Sequence, residues 1–325
     1  MPEHLDVEFN TVPDFIIGGA MKSGTTWLHS ALNCHDRIYL PPGEINLFCI
    51  DDILESADVF SRYNGKWAFQ DVNENYKVYK KWYDGFFEDA PEETLLGEDS
   101  TGYLVSRRAP SRIVQAFPDV KLIFILRDPV ERTYSHYWHR LRKGRTARTF
   151  EGEIQQVQGP IITRSLYAEQ VERFLRHFSR EALHFILFEE MVSFPQQTIG
   201  QVCEFLGLKS SIQVDEIEVS QNPSPYPRFP NLLRLLNTIL RSITRERRAT
   251  GRVPTMHAAS QNFRARVARS ADARLRHLNL SEESDRPNMK SSTREFLERL
   301  FEMENRGLSE LIERDVSEYW PYMNW

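Results

Sequence analysis

The sequence predicts an α/β fold with a central parallel β-sheet flanked by helices and a mostly helical C-terminal portion. Three observations lead there. Short, wholly apolar runs recur along the first two thirds of the chain, each too short for a helix and too uniform for a half-exposed strand. Segments with helical spacing of apolar residues lie between them, and alternation of the two implies parallel strands covered on both faces. Beyond residue 220 the apolar runs stop and only helical spacing remains.

The elements follow in order. Asp14–Gly19 (DFIIGG) reads as a buried strand feeding a turn, and Thr25–Asn33 as the helix after it. Leu95–Glu98 reads as a further strand. Val120–Leu126 (VKLIFIL) is the clearest buried strand, and it stops at Arg127-Asp128-Pro129, where proline permits a helix start but not strand continuation. Leu183–Phe188 (LHFILF) is another. Helical patterns cover Arg107–Phe117, Val130–Arg142, Leu166–Phe178 and Gln196–Leu206. Ser220–Pro230 is too rich in proline for a regular element. Leu232, Leu233, Leu235, Leu236, Ile239, Leu240 and Ile243 then fall at helical spacing, and a last helix over Ser291–Ile312 precedes an aromatic tail, YWPYMNW. The expected organisation is one unit over 1–325, with a core at 12–210 and a helical portion at 220–325.

Composition narrows the function. The 325 residues are 41% hydrophobic and 27% charged, with a net charge of −5, which excludes disorder and a basic nucleic-acid binder as default readings. Residues 241–276 hold ten arginines against Glu246 and Asp272, a local +8 that leaves −13 for the remainder. No apolar run approaches the ~18 residues of a membrane span, and the opening MPEHLDVEFN lacks the pattern of a secretory signal. Three cysteines without CxxC spacing fit a reducing cytoplasm better than a disulfide framework or zinc site.

The turn after the first strand, GGAMKSGTTW (Gly18–Trp27), has the chemistry of an anion cradle. Glycines let backbone N–H groups curl around an anion, and the following helix presents its partial positive end. Lys22 adds a full charge; Ser23, Thr25 and Thr26 add hydroxyls. The arrangement is P-loop-like without being a Walker A loop, because Lys22 precedes Gly24 instead of following the last glycine. The strand at 120–126 also ends in arginine where a magnesium-binding acid would stand. A site poor in metal ligands suits sulfuryl better than phosphoryl transfer, since the migrating SO₃ needs less neutralisation. Charge develops on the leaving phosphate, where Lys22 and the loop amides meet it. Arg127, at the carboxyl end of a buried strand, and Ser135, two turns into the next helix, form a candidate second anion site.

Together these two segments resemble the PAPS-dependent sulfotransferase superfamily (PAPS is 3′-phosphoadenosine 5′-phosphosulfate), and most of all bacterial members related to heparan and other carbohydrate sulfotransferases. PPGEINLFCID (41–51), GEDSTGYL (97–104), SLYAEQVERFL (165–175), FEEMVSFP (188–195), FLGL (205–208), NPSPYPR (222–228) and RPNMKSSTREFLERLF (286–301) extend the likeness. The resemblance implies that Lys22, Ser23, Gly24, Thr25 and Thr26 hold the 5′-phosphosulfate and that Arg127 and Ser135 hold the 3′-phosphate. It implies an adenine-stacking face, for which Trp27 and Phe188 are candidates, and a late basic group closing on the 3′-phosphate from the arginine-rich stretch. The lack of a Walker B acid and of any His/Cys/Asp cluster with ligand spacing leads to the expectation of no metal.

Transfer to a hydroxyl or amine requires a base for the acceptor proton. The resemblance points to Glu44; His136 and His139 are in reserve, and Asp99 is a third acid. Three positions depart from the heparan-type pattern: Gly43 and Asp99 stand where lysine is usual, and Asn46 where histidine is usual. The lost cations make a polyanionic glycan a poor acceptor and point to a neutral or cationic small molecule, lipid or short glycan. Two other readings come from the residues: a P-loop small-molecule kinase, and a peripheral membrane or scaffold protein using the 232–243 stripe and the arginines after it.

Overall fold

The computed structural model describes residues 9–52, 60–63, 66–69, 71–156, 159–209, 212–213, 226–244, 280–281 and 287–324. Most of the arginine-rich stretch and the first part of the proline-rich segment lie outside these residues. The chain forms β1 (Phe15–Gly19), α1 (Thr25–Leu32), β2 (Ile38–Tyr39), β3 (Phe60–Tyr63), β4 (Lys66–Phe69), α2 (Tyr76–Asp84), β5 (Leu95–Asp99), α3 (Ala109–Ala116), β6 (Lys121–Leu126) and α4 (Pro129–Arg142). Then follow α5 (Phe150–Ile154), α6 (Pro160–Thr163), α7 (Tyr167–Leu175), β7 (Leu183–Leu187), α8 (Phe188–Ser193), α9 (Pro195–Leu206), β8 (Tyr226–Pro227), α10 (Pro230–Thr244), β9 (Leu280–Ser281), α11 (Ser291–Glu304) and α12 (Leu308–Ile312).

The main sheet has the order β2-β5-β1-β6-β7 and is parallel throughout. Its strands alternate between two cores, as a period of two requires. Ile16, Leu122, Phe124 and Leu126 face the core shared with α4, α7 and the C-terminal helices. Phe15, Ile17, Ile123 and Ile125 face the core shared with α1 and α9. This double burial is why the strands read as unbroken apolar runs. Gly18 is needed for close approach, because a Cβ there would sit 2.4 Å from the Phe124 ring. The chain leaves β1 for the β2–β5 side and returns for β6 and β7, so the carboxyl ends of β5, β1 and β6 surround a topological switch point, the usual ligand position in open α/β sheets.

The C-terminal elements are part of the same packing. Leu297, Phe301, Leu308, Ile312 and Trp320 are buried in the core that holds Leu126 and Val130. The helix expected over Ser291–Ile312 is broken: Gly307, at φ 81°, ends one segment and starts the next. The break lets Asn305 turn its amide inward, where it accepts from the Tyr167 and Ala168 amides and donates to the Ser165 carbonyl. The leucine stripe does form a helix, α10. Its Leu233 and Asn237 are buried, Asn237 donating to the carbonyls of Leu141 and Thr146, while Leu232 and Leu235 are exposed.

A buried ion pair ties the segment after β2 to α3. Arg112 and Asp51 are each 1% exposed and meet in a two-pronged contact of 2.6 and 3.0 Å. Removing one partner of such a pair strands the other charge. Arg112→Ala is therefore expected to cost about 3–5 kcal/mol in urea unfolding, and to loosen the 40–52 segment more than the sheet in hydrogen exchange.

Candidate active site

The turn between β1 and α1 lies at the switch point. Lys22 takes a left-handed conformation (φ 74°), as does Gly24 (φ 90°), the residue before α1. Two such residues within three curl the backbone and leave the first N–H groups of α1 without helical partners. A Cβ at Gly24 would stand 2.5 Å from Met191 Cε and 3.1 Å from the Phe188 ring, so this side of the turn admits only glycine. Ser23 is fully buried beside the Tyr167 hydroxyl, Thr25 is buried, and Thr26 is exposed on the first turn of α1. Trp27 packs partly buried on the second core, with its indole N–H buried and unpartnered.

Lys22 has its pKa lowered to about 8, first by burial and then by the charges of Arg142 and Arg127, with Lys143 adding to them; Glu44 opposes them. Sequence reasoning reached Lys22 and Arg127 but missed Arg142 and Lys143, which lie at the far end of α4 and carry no motif. Cations gathered against their mutual repulsion are the signature of an anion site.

Arg127 follows β6 directly. It donates to the Lys22 carbonyl (Nη1 to O, 3.2 Å), and its guanidinium lies 4.5 Å over the Phe188 ring. Phe188 thus supports Arg127 on the face considered for adenine. Arg127 Nε is buried without a hydrogen-bond partner. The neighbouring carboxylates each accept from other donors, and Glu189 also feels the Arg127 charge. Asp128 caps α4 by accepting from the Val130 and Glu131 amides and from the Tyr322 hydroxyl, and burial raises its pKa to about 6. Glu189 accepts from the Asp128 amide and from the Trp320 indole. Ser135 is 8% exposed, on α4.

Glu44 is held on the other side of Lys22. Thr101 donates to one of its oxygens at 2.8 Å and Asn46 to the other at 3.1 Å. Asn46 is itself fixed: its amide donates to Ser100 Oγ (2.7 Å) and its Oδ1 accepts from the Gly102 amide (3.0 Å). Ser100 in turn donates to Glu98, a buried carboxylate that also accepts from the hydroxyls of Tyr83 and Tyr103. Thr101 gave a signal in sequence, a hydroxyl two residues past a strand end. His29, whose Nδ1 is 3.4 Å from Asp99 Oδ2, lies one helical turn past Thr25 and was not singled out.

His136 lies in the interior. It is 2% exposed, its Nδ1 is 3.4 Å from the Arg132 guanidinium, and burial, with that charge added, holds its pKa well below the usual range. His139 is the histidine that senses Lys22; burial first and Lys22 next lower its pKa to about 3.

Gly24→Ala keeps the chain chemistry and forces a left-handed alanine into contact with Met191 and Phe188. The expected loss is about 1–2 kcal/mol in chemical denaturation; unchanged stability would mean that the turn relaxes freely.

The Sulfotransferase family model matches residues 13–211. Human heparan sulfate glucosamine 3-O-sulfotransferase 3A1 is 29% identical over 216 residues, covering 64% of this chain and 47% of its own length. The mouse bifunctional heparan sulfate N-deacetylase/N-sulfotransferase 4 is 29% identical over 212 residues, 61% of this chain and 22% of its own. The chain thus spans about half the length of the human relative it matches. A sulfotransferase from Alicyclobacillus acidocaldarius shares the fold, with a TM-score of 0.62 over 96% of this chain and 99% of that one at 23% identity. With a match over β1 to α9, which contains the anion cradle, Arg127 and Glu44, the chain belongs to the sulfotransferase family.

Proposed function

We propose that this chain moves the sulfuryl group of PAPS to a hydroxyl or amine of a small molecule, lipid or short glycan, by in-line transfer with release of PAP, the 3′,5′-bisphosphate product. The carrying observation is the buried, unpartnered Nε of Arg127 beside the curled Lys22–Gly24 turn. A nucleotide with phosphates at both ends satisfies both features. Lys22, Ser23, Gly24, Thr25 and Thr26 would hold the 5′ end, Arg127 and Ser135 the 3′-phosphate, and Trp27 lies on α1 next to the turn. PAPS supplies the activated sulfuryl group. Lys22 and the turn amides meet the charge that develops on the leaving phosphate. As the acceptor oxygen bonds to sulfur and the bond from sulfur to the phosphate oxygen breaks, Glu44 takes the acceptor proton. Its two neutral donors fix the carboxylate's direction without cancelling its charge.

The kinase reading is weaker on one geometric point: Asp128, the acid nearest the end of β6, is committed to capping α4 and to Tyr322. Among the described residues no helix is long and apolar enough to cross a membrane. The cysteines of the chain, one exposed and two buried, are free, which supports a cytoplasmic setting.

Calorimetry should show PAP binding at least ~10-fold tighter than AMP, since a charge-assisted hydrogen bond is worth about 1.5–3 kcal/mol. Arg127→Ala should erase that preference, and equal affinities in the unaltered protein would sink the two-phosphate reading. The lowered pKa of Lys22 gives a sign for pH. The ammonium is present below about 8 and lost above it, so PAP affinity should fall as pH rises through that value. Lys22→Arg, charged throughout, should flatten the dependence.

Glu44→Gln keeps size and hydrogen-bonding reach and removes basicity. The expected loss is roughly 10²–10⁴-fold in the rate of transfer, measured with labelled PAPS, with PAP affinity unchanged. Full turnover in that variant would remove Glu44 as the base.

A further inference from the structure

The turn after β5 bears on the acceptor's own chemistry. Asp99 ends that strand and is 6% exposed. Its Oδ2 lies 3.4 Å from His29 Nδ1, and its Oδ1 is buried and accepts no hydrogen bond. A bare, buried carboxylate oxygen is destabilising unless something donates to it. Asp99 belongs to the transfer site by construction. The Ile45 amide donates to the Asp99 carbonyl at 3.1 Å, and Thr101, two residues on, donates to Glu44. Burial raises the Asp99 pKa; the titratable groups acting on it are His29 from α1, Glu44, whose negative charge disfavours a second one, and the buried Glu98 next to it in β5. Gly43 and Asn46, on the same loop as Glu44, bring no cation. Lys22 is on the anion side, among Arg127, Arg142 and Lys143.

We propose that Asp99 binds a positively charged nitrogen of the acceptor, so that the acceptor is an alcohol or phenol carrying an ammonium group, with its hydroxyl at Glu44 and its ammonium at Asp99. His29 is the positioning residue that fixes Asp99. This rests on the sulfotransferase reading of the site. Two carboxylates sheltered together attract a cation and repel a carboxylate or sulfate ester, and an ammonium adds to the hydrogen bond a Coulomb attraction that a neutral donor lacks. The polar tip of the acceptor thereby sets which hydroxyl reaches Glu44.

The test uses the full chain with labelled PAPS and four matched phenols: tyramine, N-acetyltyramine, 4-ethylphenol and 3-(4-hydroxyphenyl)propionate. The expected order of kcat/KM is tyramine first, by ~10-fold or more over N-acetyltyramine and 4-ethylphenol, the size of one charge-assisted contact, with the propionate last. Asp99→Asn should bring tyramine down to N-acetyltyramine. Calorimetry with PAP reports whether that variant is folded, and the comparison of tyramine with N-acetyltyramine on the unaltered protein stands even if it is not. Equal use of tyramine and N-acetyltyramine, better use of the propionate, a preference surviving in Asp99→Asn, or no transfer to any phenol by protein that binds PAP would each overturn the proposal. Failure of the unaltered protein to bind PAP would overturn it together with the reading beneath it.

Discussion

Like charges held together around one backbone turn are the constraint on which the site depends. Burial first, and then the charges of Arg142 and Arg127 with Lys143 behind them, bring the Lys22 pKa down to about 8. Nothing in their mutual interaction favours that arrangement, so the fold must impose it. It does so with backbone: the left-handed residues at Lys22 and Gly24 and the strand end that delivers Arg127. The carboxylates near Arg127 take further donors from the aromatic tail. Tyr322 takes Asp128 and Trp320 takes Glu189. A stretch more than 190 residues downstream of Arg127 thus shares in fixing the acids beside it.

The surroundings of Glu44 are built by the opposite device. Here Glu44 is presented by neutral donors, Thr101 from the turn after β5 and Asn46 from its own loop, and that loop is clamped by the Arg112–Asp51 pair. The Glu98–Ser100–Asn46 chain of hydrogen bonds runs from the buried interior to that loop. The cations and Glu44 are therefore positioned by different strands, β1 and β6 for the cations, β5 for the acid. The parallel register of β1 with both neighbours keeps them in one place.

The apolar strands were legible because parallel strands buried on both faces leave an uninterrupted hydrophobic run. β1, β6 and β7 fall within a residue of the expected spans, and the last of these gives way to α8 at Phe188. β2 was not legible: two residues at a sheet edge carry no period. The β3–β4 hairpin was likewise unread. The break in the C-terminal helix had a local sign, Gly307, but glycine within a helical pattern is ambiguous until something rewards the break. The reward is tertiary, the Asn305 amide buried against Tyr167 and Ser165.

The sequence by itself determined the sheet class, the anion turn and the strand-end arginine, because each is a local chemical pattern: an apolar run, glycines around a lysine, an arginine before Asp-Pro. Tertiary structure alone decided which charges act together. Arg142 and Lys143 reach Lys22 only through the path of α4, and His136 is withdrawn into the interior while His139 senses the lysine. It also decided that Thr101 and Asn46 share Glu44 and that His29 meets Asp99. Those pairings join residues from separate elements, 70 positions apart for His29 and Asp99, and a hydrogen bond or Coulomb contact between them depends on distances that only the packed sheet and its loops set.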